Sequence, residues 1–253
     1  MSGGHAHALH FHGHSPLHRL PAAVKLVGLL AFVLAVVATP ARAVWAFSAY
    51  ALILMVLLVL SEVPARFFLT RLAIDLPFIA FALLLPFVGE GPRFNLGPLT
   101  VSAAGLLGAW NLIAKATLSA GASVLLAATT EVPDILAGLS RLRVPPVLVA
   151  IASFMIRYLE VVAGEFRRNR IAMAARGYQS RSALDWKPIA VSAGALFIRS
   201  FERGERVYQA MLARGYDGRW RMEGQQVIPR TQWLAGLFPG IVAAAIMVAS
   251  RLW

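Results

Sequence analysis

The sequence predicts an all-α polytopic membrane protein, with about five transmembrane helices and a cytoplasmic domain of one short and two long helices. Three observations carry that reading. The 253 residues are 58% hydrophobic and only 14% charged, with a mean hydropathy of +0.68, where soluble domains sit nearer roughly 45–50% apolar and about 25% charged. Five apolar runs approach or exceed the roughly 17–25 residues that cross a hydrocarbon core. A basic stretch, 131–230, separates the fourth run from the fifth and contains one ten-residue phrase twice. The chain has no Cys, which excludes disulfides and thiolate metal sites. Its net charge of +12 suits anionic lipid headgroups or an acidic partner, and so apolar a chain argues against nucleic acid.

Residues 1–20 form a polar, His-rich tail, too long a leader for a cleavable signal. Residues 21–130 hold four spans. The first, 22–39, is closed by Pro40, and the second, 44–61, is free of charge. The third, 72–88, has Asp75 close to its start. The fourth, about 100–129, is rich in Gly and Ala and has Lys115 inside it. The last segment, 231–253, holds the fifth span at about 232–250. Orientation follows from the basic residues. Segment 131–230 holds 16 of the 24 Lys and Arg, which places it in the cytoplasm. Four spans precede it, so the N-terminus is cytoplasmic too. Arg66 and Arg71 then fall inside, and Arg42 and Arg93 outside.

Segment 131–230 opens with a short helix, about 132–142, stopped by Pro145 and Pro146. Two long helices follow, built on one pattern. Pro146 is followed by Ile156-Arg157-x-x-Glu160, and Pro188 by Ile198-Arg199-x-x-Glu202. Each block ends in the repeated phrase, "AMAARGYQSR" at 172–181 and "AMLARGYDGR" at 210–219. The first block runs from Arg157 to Arg176, the second from Arg199 to Arg214. The second is shorter by about one helical turn, which preserves the face presented. The apolar starts, 147–156 and 189–198, are too short to span and suit an interfacial or shielded segment. Glu160 and Glu202, each on the same helix face as the Arg one turn before, suit local ion pairs rather than catalysis.

Gly177 and Gly215 end the helices, since Gly readily adopts the left-handed C-cap conformation. Arg176 and Arg214 lie just before those ends, where a cation favours the helix dipole. Capping alone leaves the repeated small Ala175 and Ala213 unexplained. A small-Arg-small tip can carry a guanidinium into a narrow groove and offer its fork of donors there.

The paired Ala175-Arg176-Gly177 and Ala213-Arg214-Gly215 resemble the Ala-Arg-Gly motifs of the transmembrane coupling (T) component of energy-coupling-factor transporters. "TTEVPDIL", "RVPP" and "FMIRYLEVVAGEFRR" look like its cobalt/nickel branch, the Q-type component or CbiQ family. The likeness covers most of the chain and is strongest over 128–219. It implies that 131–230 is a coupling domain whose Arg tips, Arg176 and Arg214, dock in two cytoplasmic ATPase subunits (CbiO-like). The membrane helices would grip a substrate-capture membrane subunit (CbiM-like), with room for a small accessory subunit (CbiN-like). The setting implied is the bacterial inner membrane. One departure is Lys115, where relatives would carry Arg.

The residues agree with a coupling role. No phosphate-binding loop pattern occurs, so the chain itself needs no cofactor, and ATP and Mg would be bound by the partner ATPases. No catalytic set of acids or His appears, which argues against an enzyme. His5, His7, His10, His12 and His14 suit loose contact with cobalt, nickel or zinc, and a plain polar leader is the other reading. Lys115, about halfway along its span, is an intramembrane charge. Backbone carbonyls suit it better than Asp75, which lies ~15 Å away in depth on straight helices. Two alternatives stand beside cobalt or nickel uptake. One is a coupling subunit serving vitamins. The other is a membrane enzyme whose Arg residues hold a phosphorylated substrate.

Overall fold

A computed structural model describes residues 15–89, 93–96, 99–178, 187–217 and 228–252. In chain order the helices are α1 (Pro16–Arg19), α2 (Ala22–Ala38), α3 (Val44–Leu60), α4 (Ala65–Leu72), a 3-10 turn (Ala73–Asp75), α5 (Leu76–Ala82) and α6 (Leu85–Val88). A hairpin of β1 (Arg93–Leu96) and β2 (Leu99–Ser102) precedes α7 (Ala103–Thr129), α8 (Val132–Arg141), α9 (Pro146–Ala175), α10 (Lys187–Ala213) and α11 (Arg230–Leu252). The fold is an all-α, multi-pass membrane architecture with one small hairpin added. Two compact units arise. One runs to Leu142 and resumes at Gln225; the other is Arg143–Gly224.

Four stretches are long and apolar enough to cross a membrane: Ala65–Val88, Ala103–Thr129, Pro146–Ala175 and Arg230–Leu252, with α2 and α3 as shorter apolar helices. α9 qualifies through its apolar first half. Its second half carries Glu160, Glu165, Arg167, Arg168 and Arg170, and it shares a unit with α10. We therefore read α2, α3, α4–α6, α7 and α11 as the five spans.

Three boundaries differ from the sequence reading. The third span starts at Ala65 rather than 72. Its first turns tolerate charge because the Arg71 guanidinium lies 3.7 Å from the centre of the Phe67 ring. Pro77 and Pro86, each early in its own helix, divide that span into α4, α5 and α6. Residues 93–96 and 99–102, read as an outer loop and the start of the fourth span, pair as an antiparallel hairpin with Leu96 opposite Leu99; strands this short give too brief a pattern to read. α8 packs against α2 rather than with the long helices, since a Cβ at Gly138 would lie 2.8 Å from the Ala23 nitrogen. The unit boundary therefore falls at Arg143, not 131.

α2 is the axis of the membrane unit. Without a hydrophobic driving force between helices in lipid, close approach through small residues holds them together. Gly28 of α2 meets Gly236-x-x-x-Gly240 of α11. A Cβ on Gly28 would come within 2.3 Å of the Gly236 carbonyl oxygen, and one on Gly240 within 2.8 Å of Ala31 Cβ. Around this seam Phe32, Val36, Phe47, Tyr50, Leu118 and Ala243 form the buried core. Tyr50 Oη shares a hydrogen bond with Thr39 Oγ1 at 2.8 Å and donates to the Ala243 carbonyl at 3.3 Å. Three elements are thereby tied by one phenol.

Helix C-termini leave unpaired carbonyls, which are costly without water. α2 and α7 cap each other. Lys25 of α2 donates to the Thr129 carbonyl at 2.8 Å and to Thr130 Oγ1 at 3.1 Å, at the end of α7. Lys115 of α7 donates to the Val37 carbonyl at 2.7 Å, at the end of α2. Arg251 adds a bond to the Ala38 carbonyl at 3.1 Å. The two helices are thus antiparallel, and α7 overshoots α2 by the turns before Lys115. That overshoot explains a charge so far inside a long apolar helix. Asp75 accepts from Thr117 Oγ1 at 2.8 Å, so it lies at a depth close to that of Lys115. The expected ~15 Å separation in depth fails because the third span begins earlier than read.

Replacing Lys115 by Met should destabilise the purified chain by about 1.5–3 kcal/mol, the usual range for a charged hydrogen bond. Lys115→Arg should recover most of that loss. Thermal unfolding in detergent measures it, and a Met variant as stable as the parent would remove the capping role.

Candidate functional site

The second unit is built from α9 and α10, about 45 Å and about 40 Å long at helical rise. Pro146 begins α9 in the first-turn position, where its missing N–H costs nothing. Both helices end in the same device. Tyr178 N–H donates to the Met173 carbonyl at 3.0 Å and Gly177 N–H to the Ala174 carbonyl at 3.0 Å. Tyr216 N–H donates to Met211 at 3.0 Å and Gly215 N–H to Leu212 at 2.9 Å. These are the two bonds of a Schellman cap. Gly177 and Gly215 sit at φ +79° and +82°, the left-handed region that suits glycine.

The cap accounts for more of the repeated phrase than the sequence reading allowed. The Schellman motif brings the residue after the Gly towards one in the last helical turn, often as an apolar pair. Those positions hold Tyr178 with Met173, and Tyr216 with Met211; all four are half-buried while the residues between them are exposed. The cap does not require the Arg side chain or the adjacent Ala. Arg176 and Arg214 are exposed together with Ala175 and Ala213. Among the described residues neither guanidinium has a hydrogen bond or ion pair. Each tip is a small-sided post with an unspent cation on it.

The two posts are related by where their helices meet. Glu165 of α9 accepts a charge-assisted hydrogen bond from Arg203 of α10. Both side chains are mostly enclosed, at 13% and 31% exposure. The hydrogen bond from Arg203 is the main reason that the Glu165 carboxyl is held below its ordinary value of 4.5, with the charges of Arg168 and Arg199 adding to it. Beside the pair a cavity of about 240 Å³ is lined by Phe154, Met155, Tyr158, Val162, Ser200 and Gly204. Phe154 and Tyr158 stack at 6.3 Å between centroids.

Glu165 precedes Arg176 by the same stretch of helix as Arg203 precedes Arg214. The arms beyond the junction are therefore equal, about three turns or ~16 Å each. The one-turn difference between the blocks falls entirely before it. This pair escaped the sequence reading, which weighed Glu160 and Glu202 instead. The signal was available, because Glu165 and Arg203 stand at the same offset in sequence as the two phrases. Glu202 sits 3.9 Å from Arg206, exposed, rather than pairing with Arg199, whose charge bears on Glu165. Lys25 was also missed; a lone Lys just inside an apolar span was its signal.

His5, His7, His10, His12 and His14 lie outside the described residues. His18 is described; its Nδ1 bonds Ser15 Oγ at 2.7 Å. Among the described residues no group of three His or acidic side chains could hold a metal ion.

The family model described as CbiQ, cobalt transport protein, matches residues 13–226. The chain is similar to the energy-coupling factor transporter transmembrane protein EcfT of Bacillus selenitireducens, 28% identical over 257 residues, covering 93% of this chain and 91% of the relative. It is similar to the cobalt transport protein CbiQ of Rhodobacter capsulatus, 28% identical over 165 residues, 64% of this chain and 65% of the relative. An uncharacterised protein of Methanocaldococcus jannaschii is 23% identical over 244 residues, 93% of this chain and 83% of the relative. The named relatives are membrane components of transporters, not enzymes, which sets aside the phosphorylated-substrate enzyme. With five apolar spans and a twice-capped pair of long helices, the chain belongs to the CbiQ family, the transmembrane coupling components of energy-coupling-factor transporters.

Proposed function

We propose that this chain couples two cytoplasmic ATPase subunits to a membrane substrate-capture subunit in a cobalt or nickel uptake transporter. The observation that carries it is the pair of identically capped Arg tips on equal arms. ATP and Mg belong to the ATPases, and each motor receives one tip. The N-terminus and Arg143–Gly224 face the cytoplasm of a bacterial inner membrane. The antiparallel pairing of α2 with α7 supports this sidedness, because the chain leaves and re-enters the membrane unit at the end where α2 begins. The basic content of 131–230 supports it as well. Exposed Val147, Leu148, Ile151, Met155 and Leu159 on α9 and Val191, Phe197 and Phe201 on α10 give the capture subunit or the lipid interface an apolar surface to cover.

The cobalt reading rests on the family match and the CbiQ relative. The greater coverage by the EcfT relative favours a second reading, a coupling subunit serving other cargo such as vitamins. Purification in mild detergent with its partners, then uptake of radioactive cobalt and nickel by the reconstituted complex, separates the two. Cobalt or nickel transport driven by ATP supports the proposal. Retention of the ATPases without metal transport supports the second reading.

The His tail gives a further expectation. Deleting residues 2–14 should leave ATPase recruitment and ATP hydrolysis unchanged within about twofold, because loose imidazole ligands hold metal rather than protein. Metal retained on the purified chain should fall. Loss of the ATPases on truncation would show instead that the tail is structural.

A further inference from the structure

We propose that the Glu165–Arg203 pair is the pin of a two-armed lever, fixing the point of crossing about which the Arg176 and Arg214 tips swing. The inference rests on the coupling reading above and goes beyond it by assigning a positioning role to two residues set back from the Arg tips. Three observations meet at this point.

The pair joins α9 to α10 at positions separated in sequence by the same offset as the two phrases, so each helix is held at the equivalent point of its repeat. The arms beyond the pair are equal in length, from Glu165 to Arg176 and from Arg203 to Arg214. Equal arms on one pin give the two ends equal displacements when the angle between the helices changes. Two like motors closing together need that symmetry.

The pair is also a direct polar link between α9 and α10. Glu165 Oε2 and Arg203 Nη1 are enclosed and have no further partner among the described residues, so each group depends on the other. Removing one partner from an enclosed ion pair leaves an uncompensated charge, which is more damaging than losing an exposed pair. The charge balance sharpens this. Arg168, Arg199 and Arg203 all bear on Glu165. With the carboxylate gone, three guanidinium groups remain around one place, and their repulsion pushes the helices apart.

Finally, the junction is not tightly filled. The cavity of about 240 Å³ lies directly beside Arg203 and Gly204, and a Cβ added at Gly204 would meet nothing within 4 Å. A filled core resists a change of angle. A pinned junction with space beside it permits one while keeping the point of crossing.

The test uses the full chain with its ATPases and its substrate-capture subunit in liposomes, and variants Glu165→Gln, Arg203→Gln and both together. The natural chain has no Cys, so Ala172→Cys with Ala210→Cys gives a unique spin-label pair near the tips. With the ATPases held in one nucleotide state, the pin predicts one narrow distance distribution in the parent and a broad one in either single variant. ATPase recruitment and ATP hydrolysis should stay within about twofold, because the Arg tips are untouched. Metal uptake per ATP should fall about tenfold. The double variant should be no worse than either single, since the two residues act as one pair.

A narrow distribution with unchanged uptake per ATP in Glu165→Gln would overturn the pin. So would multiplied losses in the double variant, which would mean two separate roles. If the parent itself fails to bind ATPases, the coupling reading fails, and the spin-label distances in the isolated chain still test the pin.

Discussion

Changing Arg176 and Arg214 together to Ala should release the ATPase subunits and abolish uptake while leaving the membrane unit folded. The structure shows why the change is a clean one. Each Schellman cap is made by backbone N–H groups and by glycine at φ +79° or +82°, so the helix end survives loss of the Arg side chain. Losing one partner of a desolvated, hydrogen-bonded charge contact costs roughly 2–5 kcal/mol. That weakens a single dock by about 30-fold to a few thousandfold. Either single Ala variant should therefore impair transport while the other tip still tethers the assembly. Lys at either position should rescue poorly, because it keeps the charge and loses the planar fork. Gly177→Ala acts differently. It strains the cap by about 1 kcal/mol and should lower stability more than docking. Pull-down of the ATPases with uptake measured alongside separates these effects. Full recruitment and uptake by the double Ala variant would reduce both Arg residues to bystanders of a helix cap.

Gly28→Val should prevent recovery of a folded, monodisperse protein. Its Cβ would sit 2.3 Å from the Gly236 carbonyl oxygen, and the obstruction is backbone rather than a movable side chain. Overpacking typically costs about 1–3 kcal/mol when side chains can shift. Here α2 and α11 must separate instead, and with them the core around Tyr50. Gly108→Val is the matched control, since nothing lies within 4 Å of its added Cβ. Fluorescence-detected gel filtration after heating compares the two. Equal thermal survival of both variants would mean that the glycine seam does not hold the bundle.

The spans and the two long helices are legible in the sequence because apolar length and a repeated helix end are local signals. Pro146, Gly177 and Gly215 mark their boundaries closely. The places where helices meet are not local. Gly28 and Gly236 look ordinary until α2 lies beside α11. Lys115 reads as a lone intramembrane charge until the end of α2 appears beside it. The start of the third span is obscured by Arg66 and Arg71, which read as loop residues, and the stacking of Arg71 on Phe67 is invisible in one dimension. Glu165 and Arg203 stand nearest to legibility. Their spacing equals that of the two phrases, but one is an acid and the other a base, so a search for likeness passes over them. Complementary residues at equivalent positions are what a crossing of two copies of one pattern requires.

The central claim is that each Arg tip holds a different ATPase copy. Because the chain lacks Cys, Ala172→Cys and Ala210→Cys each place a single thiol one turn before a tip and leave Arg176 and Arg214 in place. Each variant, assembled with its ATPases and treated with a short thiol–amine cross-linker, reports what lies beside that tip. The account predicts one cross-linked ATPase per variant, and two ATPase copies captured on one chain when both thiols are present. Absence of ATPase adducts from either tip, or a single ATPase copy captured by both, would contradict it.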